Sequence, residues 1–245
     1  MALVEFQTGL GRLLREQKSS DPLHGVNLDA NEKRYFETLQ ETAGFRFCAS
    51  IQRSWCIGRA SRSAYFTLSL LPDEQRQALL NEWVDAGAGT SSFFDAEGES
   101  FLSFISKRLT DPSHELSVCQ FEQATLRASN GASSYTSPDL SGLAKANRKL
   151  RQGRYAALVC LYMDPSLLFE SMQTRKPLPP LSSEPIVLIM FSPGLPQLCI
   201  EPSEEEIAIW GALNAPASVG TLLSLNVSPK TLARLLKQGT IDYAD

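Results

Sequence analysis

Two histidines, His24 and His114, and five cysteines, Cys48, Cys56, Cys119, Cys160 and Cys199, are the chain's whole stock of imidazole and thiol groups. A transition-metal site needs such ligands clustered at short, repeated spacing, and no pair here makes a CxxC or an HxxxH. Nucleophilic catalysis needs a Ser or Cys beside a base and an orienting acid, and neither histidine lies in such a signature. Gly9-Leu10-Gly11 lacks the third glycine of a dinucleotide loop, and no Walker A sequence is present. Scattered, odd-numbered cysteines argue against a disulfide framework and for reduced, mostly buried thiols. Catalysis through Cys119 or Cys56 is a minor alternative, because no activating His or Lys accompanies either in sequence.

Charge offers three further candidates. Glu122 sits within the otherwise apolar stretch Val118-Cys119-Gln120-Phe121-Glu122, so its carboxylate must be paired or reach a polar interface. Lys145, Arg148, Lys149, Arg151 and Arg154 form a basic run that is either a solvated face or a surface for an acidic peptide or partner. Glu122, Arg148, Arg151 and Arg154 are therefore the candidate partner contacts. Lys230, Arg234, Lys237 and Gln238 are the polar residues that a C-terminal helix pair could offer to DNA, on a chain whose net charge is -4. Most nucleic-acid binders carry the opposite balance.

The elements that must position these residues follow from periodicity. With 43% hydrophobic and 20% charged residues in 245, one or two ordinary globular units are expected. Leu3, Phe6, Leu10, Leu13 and Leu14 make one helical stripe, followed by a turn at Ser19-Ser20-Asp21-Pro22. A helix from Asn31 to Ala43 and another from Phe45 to Ile57 come next, the second with Phe45, Cys48, Ile51 and Trp55 turned inward. Pro72 opens a helix running to about Asp85, which Gly87 and Gly89 stop. Phe101 to Leu109 and His114 to Ala128 complete an all-helical domain over residues 1–131.

Residues 132–154 are rich in Ser, Thr, Pro and Gly and then basic, and read as a linker. Residues 155–245 read as a second domain. Tyr155 to Met163 and Ile186 to Phe191 are buried strands by composition, and Gln197 to Ile200 returns as a short edge strand. Ser203 followed by Glu204, Glu205 and Glu206 starts a helix, Val219 to Leu225 forms another, and Ser228-Pro229 opens a third with Leu232, Leu235 and Leu236 inward and Gly239 as its stop. Strands followed by three short helices make the fold class α+β, with a small winged-helix-like second domain carrying a short antiparallel sheet. An exposed edge at Gln197 to Ile200 could accept an extended peptide as an added strand.

No apolar run approaches a membrane span, and Met1 to Gln17 carries Glu5, Arg12, Arg15 and Glu16 where a secretory signal would be apolar, so a cytoplasmic chain is expected.

The segment Glu115-Leu116-Ser117-Val118-Cys119-Gln120-Phe121-Glu122-Gln123-Ala124, placed between a helical and a strand-rich domain, resembles the partner subunits of multinuclear non-haem iron-dependent oxidative enzymes that modify ribosomally made peptides. The layout is most similar to the partner subunit of the 3-thiaglutamate pathway, with the methanobactin partner as kin. The resemblance implies an accessory subunit, not catalytic alone and holding no cofactor, in a heterodimer whose other subunit carries the iron and oxidises a peptide cysteine. It also implies a peptide-recognition element of winged-helix type, binding a leader or carrier peptide along a strand and a neighbouring helix. On this chain those would be Gln197, Leu198, Cys199 and Ile200, with Leu232, Leu235 and Leu236.

Overall fold

A computed structural model describes residues 3–15, 23–87 and 94–244, the side chains of Arg15 and residues 94–96 apart. The turn expected at 19–22 and the stop at Gly89 lie outside the described residues. The chain divides into two compact units, residues 1–108 and 109–245. Together they are α+β, with helices and small antiparallel sheets. Among the described residues, no helix is long and apolar enough to cross a membrane.

Among the described residues, the regular elements of the first unit are all helices: α1 (Leu3–Arg15), α2 (Ala30–Gln40), α3 (Ala43–Ser63), α4 (Tyr65–Leu70), α5 (Asp73–Asp85) and α6 (Phe94–Ser106). Asp29 and Glu32 form a capping box at the start of α2. Phe36 on α2 is fully buried with Leu13 of α1, and Phe6 stacks on it at 4.7 Å. Trp83 on α5 meets Phe101 on α6 edge-on at 5.2 Å, the geometry that aromatic quadrupoles prefer.

Helix α3 departs from the expected orientation. Its buried residues are Ala49, Cys56 and Ala60, whereas Cys48, Ile51 and Trp55, expected inward, are exposed. The inward face holds its neighbours through polar contacts instead: Arg53 pairs with Asp85 of α5, and Arg59 donates to the buried Glu97 of α6 at 2.7 Å. Small residues let α6 come close, and the large apolar side chains face away.

The second unit begins earlier than the composition suggests. Helix α7 (His114–Ala132), expected in the N-terminal domain, belongs to it, capped by the Ser113 hydroxyl on the Leu116 amide. Residues 132–154 are not a linker either. They contain a short 3-10 helix (Leu140–Ala144) and strand β1 (Lys149–Gln152), whose Leu150 is fully buried. One hydrophobic residue between Lys149, Arg151 and Gln152 is enough to anchor a strand when its single inward position is apolar.

The remaining elements are β2 (Ala157–Leu161), α8 (Pro165–Thr174), β3 (Val187–Phe191), β4 (Cys199–Ile200), α9 (Glu204–Ala212), β5 (Ala217–Ser218), α10 (Val219–Ser224), α11 (Pro229–Gln238) and β6 (Ile241–Tyr243). They build two antiparallel sheets, one in the order β5-β1-β6 and one in the order β2-β3-β4. The three C-terminal helices therefore share a core with β1, β5 and β6: Leu150, Ile209, Leu213, Val219, Leu222, Leu232, Leu235, Leu236 and Ile241 are all buried together. Gly153, just past β1, runs so close to the end of α11 that a Cβ there would lie 2.1 Å from the Gly239 carbonyl, so only glycine fits. Gly239 itself has φ +72°, the left-handed stop of α11.

Candidate functional site, a groove at the open edge of β2

Strand β2 pairs with β3 over five residues, from Ala157 opposite Phe191 to Leu161 opposite Val187. Among the described residues, its other edge has no strand partner in the sheet. Alternate residues of an antiparallel edge strand point their N–H and C=O groups outward, so this edge offers unpaired main-chain donors and acceptors. At the end of the strand the Leu161 carbonyl accepts the amide of Ile186, which continues β3, and the Tyr162 carbonyl accepts that of Ser182, each at 2.7 Å. The open stretch is thus Ala157 to Cys160.

Helix α7 is held on the sheet by Phe121, which meets Phe191 of β3 at 5.2 Å and Phe169 of α8 at 5.4 Å, both edge-on. Between the helix and the strand runs a groove of about 300 Å³. Its strand side is lined by Ala157, Leu158, Val159 and Cys160 in succession. Side chains of neighbouring strand residues point to opposite faces, so four consecutive residues on one wall mean that the groove runs along the edge of the sheet. The helix contributes Gln120, Gln123, Ala124 and Arg127, while Asp111 and Tyr162 close the ends. Carboxamides that both donate and accept, beside an unpaired edge and an apolar floor, suit a peptide main chain.

The thiol chemistry within reach is quiet. Burial pushes the Cys160 thiol up, and the Asp111 carboxylate adds to it. Burial likewise raises Cys199. A raised thiol is protonated near neutrality and is a poor nucleophile. Cys56 and Cys119 are buried, and the Cys56 thiol is raised by desolvation first and by Glu97 second. Among the described residues, no three His, Cys, Asp or Glu side chains are grouped to hold a metal ion. His114 is engaged by the Pro179 carbonyl at 2.7 Å.

The residues expected from the sequence fall elsewhere. Leu232, Leu235 and Leu236 are at most 1% exposed, so they form core and offer nothing to a ligand. The four-residue strand expected at Gln197 to Ile200 shrinks to two: Cys199 and Ile200 pair with Phe191 and Met190, Gln197 is exposed in the turn, and Leu198 adopts φ +63°. A two-residue edge can support about one ladder pair, against two or three on β2. No protein-family model matches this chain, and no curated protein matches it. The groove's geometry therefore carries the functional weight.

Glu122 lies half-buried on α7, next in sequence to the groove-lining Gln123 but not itself lining the groove. Arg148 is half-buried, with its guanidinium over the Tyr243 ring at 4.9 Å, in a hollow of about 320 Å³ shared with Asp139, Ser141 and Lys145. Arg151 and Arg154 are exposed, and Arg154 leans on the Tyr155 ring at 5.3 Å. On α11, Arg234 is held by Glu206 at 3.2 Å, while Lys230 and Lys237 are exposed. The groove was missed because YAALVCLYM gives no polar signal. Gln120, Gln123 and Arg127, at helical spacing on an otherwise apolar helix, were the available clue.

Proposed function

We propose that this chain is a non-catalytic peptide-binding subunit that takes an extended leader or carrier peptide as an added strand on β2, against α7. It presents a cysteine of that peptide to a separate multinuclear iron-dependent oxidase, in modified-peptide biosynthesis of the 3-thiaglutamate kind. The iron belongs to the partner subunit. The observation that carries the reading is the unpaired edge of Ala157 to Cys160 facing a groove lined by Gln120, Gln123 and Arg127. The helices α9, α10 and α11, with β1, β5 and β6, form the winged-helix-like part, and the exposed Arg151 and Arg154 suit an acidic surface of the oxidase.

Strand addition draws its affinity from main-chain hydrogen bonds, each worth about 1 kcal/mol net. The test is amide exchange of residues 157–160 during titration with precursor peptides co-encoded with the chain. Binding slows alternate amides of β2, and Gln123→Trp, which fills the groove from a half-buried position, abolishes the effect. Protection at Cys199 and Ile200 with β2 unchanged overturns the assignment. Co-purification with an iron-containing subunit, in equal amounts, tests the partnership separately.

The exposed Lys230 and Lys237 of α11 favour a second reading, a duplex-binding regulator. Such binding would fall steeply with salt and with loss of either lysine, and no retained duplex at low salt eliminates it.

A further inference from the structure

Helix α3 presents an uninterrupted face made of Gly44, Phe47, Cys48, Ile51, Ser54, Trp55, Gly58 and Arg62, every one exposed. Phe47 is 65% exposed, Ile51 41% and Trp55 60%, at successive turns of the helix. Aromatic anchors of this kind carry most of the energy in protein interfaces. The two glycines are open as well, with nothing within 4 Å of where a Cβ would stand.

The order of residues on this face reads the same in both directions about Ile51. Phe47 and Trp55 lie four residues either side of it, Cys48 and Ser54 three, and Gly44 and Gly58 seven. When two identical helices pack antiparallel about a two-fold axis, residues equally far before and after the axis oppose each other. An axis at Ile51 would set Ile51 on Ile51, each Phe47 on the other copy's Trp55, and Gly44 on Gly58, where the absent side chains allow close approach.

Charge fits the same arrangement. Arg62 is the single charged residue of the face and carries no ion pair among the described residues. Mirrored about Ile51, Arg62 falls at Gln40, the last residue of α2, and the adjoining Glu41 is exposed and likewise has no ion pair among the described residues. Arg46, Arg53 and Arg59 lie off the face, the last two already paired with Asp85 and Glu97. A parallel pairing would bring Arg62 onto Arg62, so the antiparallel one is favoured electrostatically.

We propose that α3 is the contact through which two copies of this chain associate, antiparallel about Ile51, with Phe47 on Trp55 and Arg62 facing Glu41 of the second copy. The helix is about 30 Å long, so the contact is small and the association belongs in the micromolar range.

Sedimentation velocity of the purified full-length chain over a concentration series tests this. The wild type shifts from monomer to dimer. Ile51→Glu, exposed in the monomer and so leaving its circular dichroism unchanged, places two carboxylates at the axis and abolishes the dimer. Arg62→Glu weakens association about tenfold, and adding Glu41→Arg restores it, a rescue that a folding defect would not give. A wild-type chain that stays monomeric at every concentration overturns the proposal, as does a dimer that survives Ile51→Glu or a double reversal that fails to rescue.

Discussion

The phenol of Tyr135 donates a hydrogen bond to the carbonyl of Leu236 at 2.5 Å, tying the segment after α7 to the last turn of α11. Burial, reinforced by the Asp242 carboxylate, pushes this phenol up to about 12. A group raised above its unfolded value contributes its full stability below that value and loses it as pH climbs through the folded one. Stability should therefore decline between about pH 10 and about pH 12. Tyr135→Phe should cost about 1 kcal/mol near neutrality and flatten that alkaline limb, both read from urea midpoints across pH.

At the acid end the corresponding device is Glu205. Its two oxygens accept the Ser228 amide at 2.6 Å and the Thr231 hydroxyl at 2.7 Å, joining α9 to the first turn of α11. The Ser228 amide, then Thr231, lower its pKa. The sign is opposite to that of Tyr135: the contribution is present above the ordinary carboxylate value and disappears as pH falls through the lowered one. Glu205→Gln should lower stability at neutral pH and leave a shallower acid limb in the same titration.

Glu97 is buried and bound by Arg59, so removing either partner strands a charge. Arg59→Met should destabilise the first unit by about 3–5 kcal/mol, while Arg59→Met with Glu97→Leu should recover much of the loss. A double-mutant cycle in denaturant measures the coupling. Equal costs for the single and double variants would mean that packing, not charge, holds α3 to α6.

Thiol reactivity should separate cleanly by position. Cys48 is exposed, whereas Cys56 and Cys119 are buried and the Cys56 thiol is raised. An aromatic disulfide reagent should label Cys48 of the dilute, monomeric chain at once and Cys56 at least about a thousandfold more slowly, because the latter must await opening. Mass spectrometry of tryptic peptides assigns the sites.

Helix ends were the most legible part of this sequence. The hydroxyl of Ser203 and the carboxylate of Glu206 close a capping box, and Ser228, Pro229 and Gly239 bound α11, because caps are local chemistry that tertiary contacts seldom override. Ser113 behaved in the same way at α7. Strand β2 was legible for its apolar run, but nothing local says which edge of a strand remains unpaired, so attention went to Gln197 to Ile200. Helix α8 is hidden in the sequence because Asp164-Pro165 serves equally to end the apolar run before it, although Asp164 caps that helix through the Ser166 and Leu167 amides. Helix α3 misled for a physical reason, since periodicity finds an apolar stripe without saying whether the stripe meets the interior or the outside.

Strand β1 lies between β5 and β6, yet it precedes β5 by about half of the second unit's length and β6 by more. A chain emerging from the ribosome must keep Lys149–Gln152 waiting until Ile241–Tyr243 has been made. Everything from β2 to β4 is in effect a long parenthesis opened by one strand and closed by another, so removing Ile241–Tyr243 should unseat a segment synthesised far earlier.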